Sequence, residues 1–148
     1  MKGMDITMRI MAVDYGDART GIAVSDFSGT LASGVETIFE KRPFVVAERV
    51  AQFAKQLEAE EIVVGMPKNM DNTIGERGEK TDAFIKQLQE LTVLTITRWD
   101  ERLTTVSAIR TLNETNVRGE RRKNVIDTVA AEIILQSYLE YRRNKRQS

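Results

Sequence analysis

The sequence predicts an α/β protein built on a mixed five-stranded sheet, with three antiparallel strands followed by alternating helices and strands. Short apolar runs separated by turns occupy the first part of the chain, whereas later segments alternate between helical spacing of apolar residues and β-branched runs. Strands that are connected through helices pair in parallel, and their crossover helices pack against the sheet. We therefore expect helices on both faces.

The elements follow in order along the chain. Residues 9–14 and 20–25 are apolar runs joined by a short turn, which predicts an antiparallel pair, and residues 34–39 predict a third strand. The remaining expected elements are helices at residues 44–57, 75–91, 104–112 and 124–141, and strands at residues 61–65 and 93–97.

Length and composition limit the possible architectures. A chain of 148 residues with no linker or repeat predicts one domain over residues 1–148, with flexible ends at residues 1–8 and 142–148. No apolar run approaches the ~20 residues that span a bilayer, and the start of the chain does not resemble a signal peptide. We expect a cytoplasmic protein that does not enter the membrane.

The absence of two residue types restricts the chemistry. The sequence contains no cysteine and no histidine. Thiolate zinc sites, Ser-His-Asp hydrolysis and an imidazole general base are therefore excluded. Carboxylates and metal ions remain as the means of hydrolysis.

Charge is balanced overall but unevenly distributed. Lysine plus arginine equals aspartate plus glutamate at 22 each, whereas the chain from Arg118 onward carries eight basic and four acidic residues. This excess of positive charge favours a polyanionic partner near the end of the chain.

Two acidic residues follow predicted strands. Asp14 ends the first strand between residues that permit tight turns, and Glu101 follows the last strand. Functional groups of α/β sheets gather at one edge, where the strands end. The alternatives are a turn aspartate bound to nearby amides, and a glutamate that complements a helix N-terminus.

A third acidic residue interrupts an apolar segment. Asp127 lies among valine, isoleucine and alanine in the predicted final helix, where small neighbours would allow close approach to the sheet. A capping box with Asn124 as the N-cap is the alternative, and both roles are compatible.

Convergence of Asp14, Glu101 and Asp127 would create repulsion that a divalent cation relieves. Oxygen ligands without nitrogen or sulfur favour Mg²⁺ or Mn²⁺. Such a site is suited to phosphodiester hydrolysis, because the metal activates water and stabilises the leaving oxygen.

Four segments give the sequence a resemblance to the YqgF family over nearly the whole chain, from Arg9 to about Tyr141. They are residues 12–26 (AVDYGDARTGIAVSD), 64–71 (VGMPKNMD), 100–105 (DERLTT) and 123–131 (KNVIDTVAA). The resemblance implies an RNase H-like fold related to RuvC Holliday-junction resolvases, and a nuclease that matures the 5′ end of pre-16S rRNA.

The same resemblance places Asp14, Glu101 and Asp127 at the acidic positions of the family. Two departures from expected patterns accompany it. Many RNase H-like enzymes carry the second carboxylate on the strand beside the first, but here that strand ends in Val64-Gly65-Met66-Pro67, and the family's usual Asp-Gly is Asp71-Asn72. The number and geometry of the metal ions therefore stay open.

Basic and amide side chains near these acids are candidate nucleic-acid contacts. Lys68, Asn69 and Arg77 belong to a long loop that could position a phosphate backbone, with a solvated connection as the alternative. Arg19 and Arg102 would bind phosphate or pair with the adjacent acids. A cluster ahead of Asp127 could bind phosphates or form a solvated charge run, and it comprises Arg118, Arg121, Arg122 and Lys123.

Other functions compete with RNA cleavage. A Holliday-junction resolvase-like DNA endonuclease would require a homodimer, whereas a monomer disfavours that interpretation. A non-catalytic RNA-binding or transcription-associated module would keep the fold without cutting. One tryptophan and three tyrosines favour recognition of shape and phosphates over base stacking. An actin-like ATPase is opposed by the absence of a second Asp-x-Gly hairpin.

Overall fold

The protein, analysed as a computed structural model, is described over residues 8–71, 73–115 and 128–147. The strands are β1 (Ile10–Asp14), β2 (Arg19–Ser25), β3 (Ala32–Phe39), β4 (Glu61–Met66) and β5 (Thr95–Asp100). The helices are α1 (Pro43–Gln56), α2 (Glu76–Gln89), α3 (Val106–Thr115) and α4 (Val129–Gln147), with a 3₁₀ turn at Glu101–Leu103.

The five strands form one mixed sheet in the order β3-β2-β1-β4-β5. β1 pairs antiparallel with β2, and β2 pairs antiparallel with β3. β4 pairs in parallel with both β1 and β5. This arrangement confirms the predicted fold class, and it places the central strand β1 between an antiparallel half and a parallel half.

Alternating residues of the central strands belong to two hydrophobic cores, one on each face of the sheet. On one face, Met11 and Val13 of β1 belong to a core that includes Phe84 of α2 and residues of α1. On the other face, Ile10 and Ala12 belong to a core with residues of α4. Because successive strand side chains point to opposite faces, the burial of residues 10–13 of β1 requires helices on both sides of the sheet.

The last strand differs from its predicted bounds. It pairs with β4 from Thr95 opposite Glu61 to Asp100 opposite Met66, whereas the sequence predicted residues 93–97. Val93 is fully exposed and lies before the strand, although it begins the β-branched run. The pairing register with β4, rather than the apolar run, determines where the strand begins and ends. Glu101 follows the last residue of the strand directly.

Helix α4 extends beyond the predicted end of the final helix. It continues from Val129 to Gln147, through residues 142–147 that were expected to be a flexible end. The first predicted residues of this helix, 124–127, lie outside the described residues. None of the helices in the described part of the chain has the length and apolar character needed to cross a bilayer.

A row of buried polar side chains attaches α4 to the edge strand β3. The Thr128 hydroxyl donates to Glu132 Oε2 at 2.8 Å. One turn later, Gln136 Oε1 accepts from the backbone N–H of Ala32 at 2.9 Å, and its Nε2 donates to the carbonyl of Thr30 at 3.1 Å. Spacing of four residues places these groups on one helix face. Hydrogen bonds thereby fix α4 across the sheet.

Gly34 of β3 provides the space that this attachment needs. A Cβ at residue 34 would lie 2.5 Å from Glu132 Oε2 and would also clash with the Thr128 hydroxyl. We expect Gly34→Ala to lower the free energy of unfolding by about 1–3 kcal/mol, because the buried pair must move. Urea denaturation measures the change.

The control for this substitution is Ser33→Ala, which alters an exposed neighbour on the same strand. We expect Ser33→Ala to unfold at nearly the urea concentration of the wild type. Equal stability of the two variants would show that α4 does not press against residue 34.

Candidate active site

Asp14 and Glu101 lie at the same edge of the sheet. Asp14 is the last residue of β1, and Glu101 follows the last residue of β5. β4 lies between these strands, and all three run in parallel. Because parallel strands end at a common edge, both carboxylates reach it, and each residue is half-buried.

The two carboxylates interact electrostatically. Burial raises the pKa of the Glu101 carboxyl above its ordinary value, and the negative charge of Asp14 raises it further. The positive charge of Arg77 acts in the opposite direction. Partial burial beside a like charge disfavours ionisation, and a bound cation would relieve both effects.

Gly65 of β4 makes room for Glu101. A Cβ at residue 65 would lie 2.8 Å from Glu101 Oε2 and 2.5 Å from Cδ1 of Ile134 in α4. The Glu101 side chain therefore passes over β4 on the face that α4 covers. The strand beside Asp14 lacks a carboxylate at its end, but its glycine lets the carboxylate of the next segment occupy that space.

Arg102 forms a clamp at the same edge. Its Nη2 donates to Asp100 Oδ2 at 2.7 Å, and its backbone N–H donates to Asp100 Oδ1 at 2.9 Å. The Nη1 atom donates to the carbonyl of Asn69 at 3.0 Å. Arg102 thus connects the turn that carries Glu101 to the loop after β4.

The loop after β4 is organised by its own hydrogen bonds. Asn69 Nδ2 donates to the Thr73 hydroxyl at 2.9 Å, and the Thr73 hydroxyl donates to Asp71 Oδ1 at 2.7 Å. Lys68 is exposed, and its positive charge helps to lower the pKa of the Asp100 carboxyl. These hydrogen bonds join Asn69, Asp71 and Thr73 within the described part of the loop, and Lys68 lies beside the acidic edge.

The predicted site residues divide into two groups. The structure places Asp14, Glu101, Arg19, Lys68, Asn69, Arg77 and Arg102 on β1, β2, the loop after β4, the start of α2 and the 3₁₀ turn. The other predicted residues, Asp127, Arg118, Arg121, Arg122 and Lys123, lie outside the described residues. Within residues 8–71, 73–115 and 128–147, no cluster of three or more acidic side chains suited to a metal is present.

Sequence reasoning missed two features of this site. Gly65 was noted as the absence of a carboxylate, although its small size admits Glu101. The hydrogen bond from Arg102 to a loop carbonyl was not anticipated. Pairing of Arg102 with an adjacent acid was one of the two roles that the sequence left open, and the structure shows this pairing with Asp100.

The fold and the acidic edge define an RNase H-like protein of the RuvC type. The structure superimposes on Thermus thermophilus RuvC in complex with a Holliday junction substrate with a TM-score of 0.65 at 12% identity, covering 93% of this chain and 96% of that one. A second Thermus thermophilus RuvC structure gives a TM-score of 0.59 at 13% identity, covering 93% and 97%. At this identity the match shows a common fold.

The chain belongs to the RuvX family, whose model is described as Holliday junction resolvase and matches residues 8–141. This is the YqgF family that the sequence motifs indicated, so the resemblance is confirmed. Proteins from Halothermothrix orenii and Thermoanaerobacter pseudethanolicus are 52% and 45% identical to this chain. The first match covers 90% of this chain and 96% of the relative, and the second covers 93% and 100%. Both relatives carry the name "Putative pre-16S rRNA nuclease".

The Asp100–Arg102 clamp makes stability depend on pH in the acidic range. Hydrogen bonds from the Arg102 side chain hold the pKa of Asp100 at about 2, below the ~3.9 of an unfolded chain. The ionised carboxylate therefore contributes stability above the unfolded pKa, and this contribution is lost as the pH falls through the folded pKa. We expect Asp100→Asn to destabilise the protein at pH 7 and to make progressively less difference between pH 4 and pH 2.

Urea denaturation of the wild type and of Asp100→Asn at several pH values measures how the difference in stability decreases as the pH falls. Glu48→Gln, which changes an exposed carboxylate on α1, serves as the control for loss of a negative charge. A stability difference between wild type and Asp100→Asn that stayed constant down to pH 2 would contradict the clamp.

Proposed function

We propose that this protein is a divalent-metal-dependent nuclease that cleaves phosphodiester bonds of RNA during maturation of the 5′ end of pre-16S rRNA. Asp14, Glu101 and Asp127 hold Mg²⁺ or Mn²⁺ and are its catalytic residues. The observation that carries the proposal is the meeting of Asp14 and Glu101 at one edge, where the charge of Asp14 raises the pKa of Glu101. The choice of RNA as the substrate follows the names of the relatives.

The donor atoms fit a hard divalent cation. Two half-buried carboxylates in a chain without histidine or cysteine offer only oxygen ligands, as Mg²⁺ and Mn²⁺ prefer. When bound, the cation supplies an activated water and neutralises charge on the scissile phosphate. Asp14 and Glu101 would bind and orient the cation. The absence of a side chain at Gly65 leaves the space in which the Glu101 carboxylate lies over the sheet.

Asp127 is the proposed third ligand. It precedes Thr128, whose side chain lies against Gly34 on the sheet face that α4 covers. Glu101 lies on that same face, near Ile134 of α4. The start of α4 is therefore anchored on the face where a third carboxylate is needed, and this supports Asp127 as the residue that completes the set.

Basic residues around the edge are proposed to hold the phosphate backbone. Arg77 acts electrostatically on Glu101, and Lys68 acts on Asp100, so both charges lie near the acids. Arg19 begins β2 at the same edge. Asn69 and Arg102 hold the loop through their hydrogen bonds. Their side chains are also proposed to donate to the phosphate backbone. The cluster of Arg118, Arg121, Arg122 and Lys123 is proposed to contact phosphates farther along the strand.

A Holliday-junction resolvase is the second candidate, because the RuvC structure that shares this fold is a complex with such a junction. Resolution of a junction requires two sites in a symmetric homodimer, whereas RNA processing can proceed on a monomer. The high identity to relatives named for pre-16S rRNA favours the RNA substrate and a cytoplasmic ribosome precursor as partner.

Metal binding can be tested separately from cleavage. In EDTA at pH 8, we expect Glu101→Gln to melt at a higher temperature than the wild type, because folding raises the pKa of Glu101 and its charged form then costs stability. Below the unfolded pKa of the glutamate, this difference disappears. With Mn²⁺ or Mg²⁺ added, we expect the wild type to gain stability and Glu101→Gln to gain less.

Differential scanning calorimetry, with and without metal, records both parts of this prediction. Buffer without divalent cations, brought to the same ionic strength with NaCl, is the control. An equal metal-induced shift in wild type and Glu101→Gln would show that Glu101 is not a ligand.

Cleavage is tested with end-labelled pre-16S rRNA leader, single-stranded DNA and a four-way junction, in Mg²⁺, Mn²⁺ or EDTA. We expect the wild type to cut the RNA only with metal, and Asp14→Asn to lose this activity, because the carboxylate that binds the metal is removed. Denaturing gel electrophoresis measures the products.

Asp17→Asn is the matched control for this experiment. Asp17 lies three residues farther along the same hairpin, its side chain is 72% exposed, and it pairs with Lys80 at 3.5 Å. Its variant should cut like the wild type. Preferential cutting of the junction would favour the resolvase, and equal cutting by wild type and Asp14→Asn would identify a contaminant.

A further inference from the structure

The structure gathers three of the four tryptophan and tyrosine residues of the chain on one surface. The ring centroid of Trp99, on β5, lies 5.4 Å from that of Tyr141 and 5.5 Å from that of Tyr138, both on α4. The two tyrosine centroids are 6.5 Å apart. Their separation in sequence concealed this grouping, because the packing of α4 on β5 brings the rings together.

Burial differs sharply within this aromatic cluster. Trp99 and Tyr138 are 7% and 8% exposed, whereas Tyr141 is 47% exposed. The Tyr138 hydroxyl is held below the surface, where it donates to Glu61 Oε2 at 2.5 Å. Tyr141 is therefore an open ring supported from beneath by two fixed aromatic side chains, and its orientation costs little to maintain.

Two cationic side chains lie against this aromatic cluster. Lys145 Nζ lies 5.7 Å from the Tyr141 centroid, and the Arg142 guanidinium lies 6.0 Å from the Tyr138 centroid. The neighbouring acid, Glu140, is 9% exposed and accepts from Gln136 Nε2 at 3.4 Å, so its charge is turned away from solvent.

The aromatic cluster and the candidate active site share one face of the sheet. Trp99 precedes Glu101 by two residues, which corresponds to roughly 7 Å along the chain at the rise of a β-strand. Trp99 shares a core with Ile134, the α4 residue that lies with Glu101 above Gly65. The ring surface and the acidic edge therefore lie on the same face of the sheet.

We propose that Tyr141, supported by Trp99 and flanked by Arg142 and Lys145, binds a single-stranded segment of the substrate nucleic acid on the sheet face that carries the proposed cleavage site. The open ring stacks on a base, and the cations contact the adjacent phosphates. This inference rests on the proposed nuclease function and adds to it the class of substrate: a nucleic acid with a single-stranded segment of unpaired bases.

The combination of ring and cations distinguishes this ligand from the alternatives. Basic residues near a helix C-terminus also stabilise the helix, but that role does not require an exposed aromatic ring among them. A nucleic-acid duplex keeps its bases stacked internally and offers no free base face to Tyr141. A single strand offers both the faces and the phosphates, and stacking accepts any base.

Trp99 provides a direct readout, because it is the single tryptophan of the chain and contacts Tyr141. The full chain is titrated in EDTA, which prevents cleavage, with a 12-nucleotide oligouridylate and with a 12-base-pair RNA duplex. We expect the oligouridylate to change the Trp99 emission and to bind more tightly than the duplex.

The ring is tested with two substitutions. We expect Tyr141→Leu to weaken oligouridylate binding by about 5- to 150-fold, as loss of one stacked base does, and Tyr141→Phe to bind nearly like the wild type. The matched control is Phe44→Leu, which removes a ring that is 47% exposed on α1. Circular dichroism and thermal melts verify the folding of each variant, and Tyr141→Phe tests the ring with little change in packing.

The cations are tested through salt dependence. Arg142→Gln combined with Lys145→Gln should reduce the slope of log affinity against log salt by about 1.4, since each phosphate contact on a single strand contributes ~0.7. Lys55→Gln, in the last turn of α1, is the control for loss of a lysine at a helix end.

The outcomes separate this inference from the proposed nuclease function. If Tyr141→Leu binds oligouridylate like the wild type, or weakens duplex and single strand equally, the surface does not recognise unpaired bases, even where metal-dependent cleavage is intact. If the wild type cuts nothing but Tyr141→Leu selectively loses single-strand binding, the surface is retained and the nuclease proposal fails.

Discussion

Parallel pairing of β1, β4 and β5 is the constraint on which the candidate site depends. The register places Val13 opposite Val64, and Val64 opposite Arg98, so the strands reach their carboxyl ends together. Asp14 and Glu101, which are 87 positions apart in sequence, meet for this reason. The backbone hydrogen bonds of the sheet thereby determine a local charge arrangement that neither residue could create alone.

That arrangement is unfavourable without a cation, and the surrounding structure maintains it. Burial and Asp14 both raise the pKa of Glu101, while Gly65 leaves the space in which its carboxylate lies. Arg102 fixes the following turn through Asp100 and the loop carbonyl of Asn69. Stability gained in the cores and in this clamp offsets repulsion at the edge. Such compensation is typical of sites that bind metal and act on phosphates.

Much of the fold could be predicted because its physical cause is local. Alternation and helical spacing indicated five strands, a mixed sheet and the helices that cover it, whereas the order of the strands in the sheet came from the structure. Predictions of bounds were weaker: β5 begins at Thr95 because it pairs with Glu61, although the β-branched run starts at Val93. For the site, the sequence indicated Asp14 and Glu101 through their positions after strands. It could not reveal the room above Gly65, because that space depends on Ile134 of a distant helix.

The sequence by itself determined the chemistry that is available: without cysteine or histidine, only oxygen ligands remain, and the motifs around Asp14 and Glu101 specify the family. Tertiary structure decided which of these groups act together. The Trp99–Tyr141 contact shows the difference, because it joins residues 42 positions apart that share no sequence pattern. Composition and periodicity are properties of the chain, whereas burial, charge coupling and ring contacts arise only when α4 packs across the sheet.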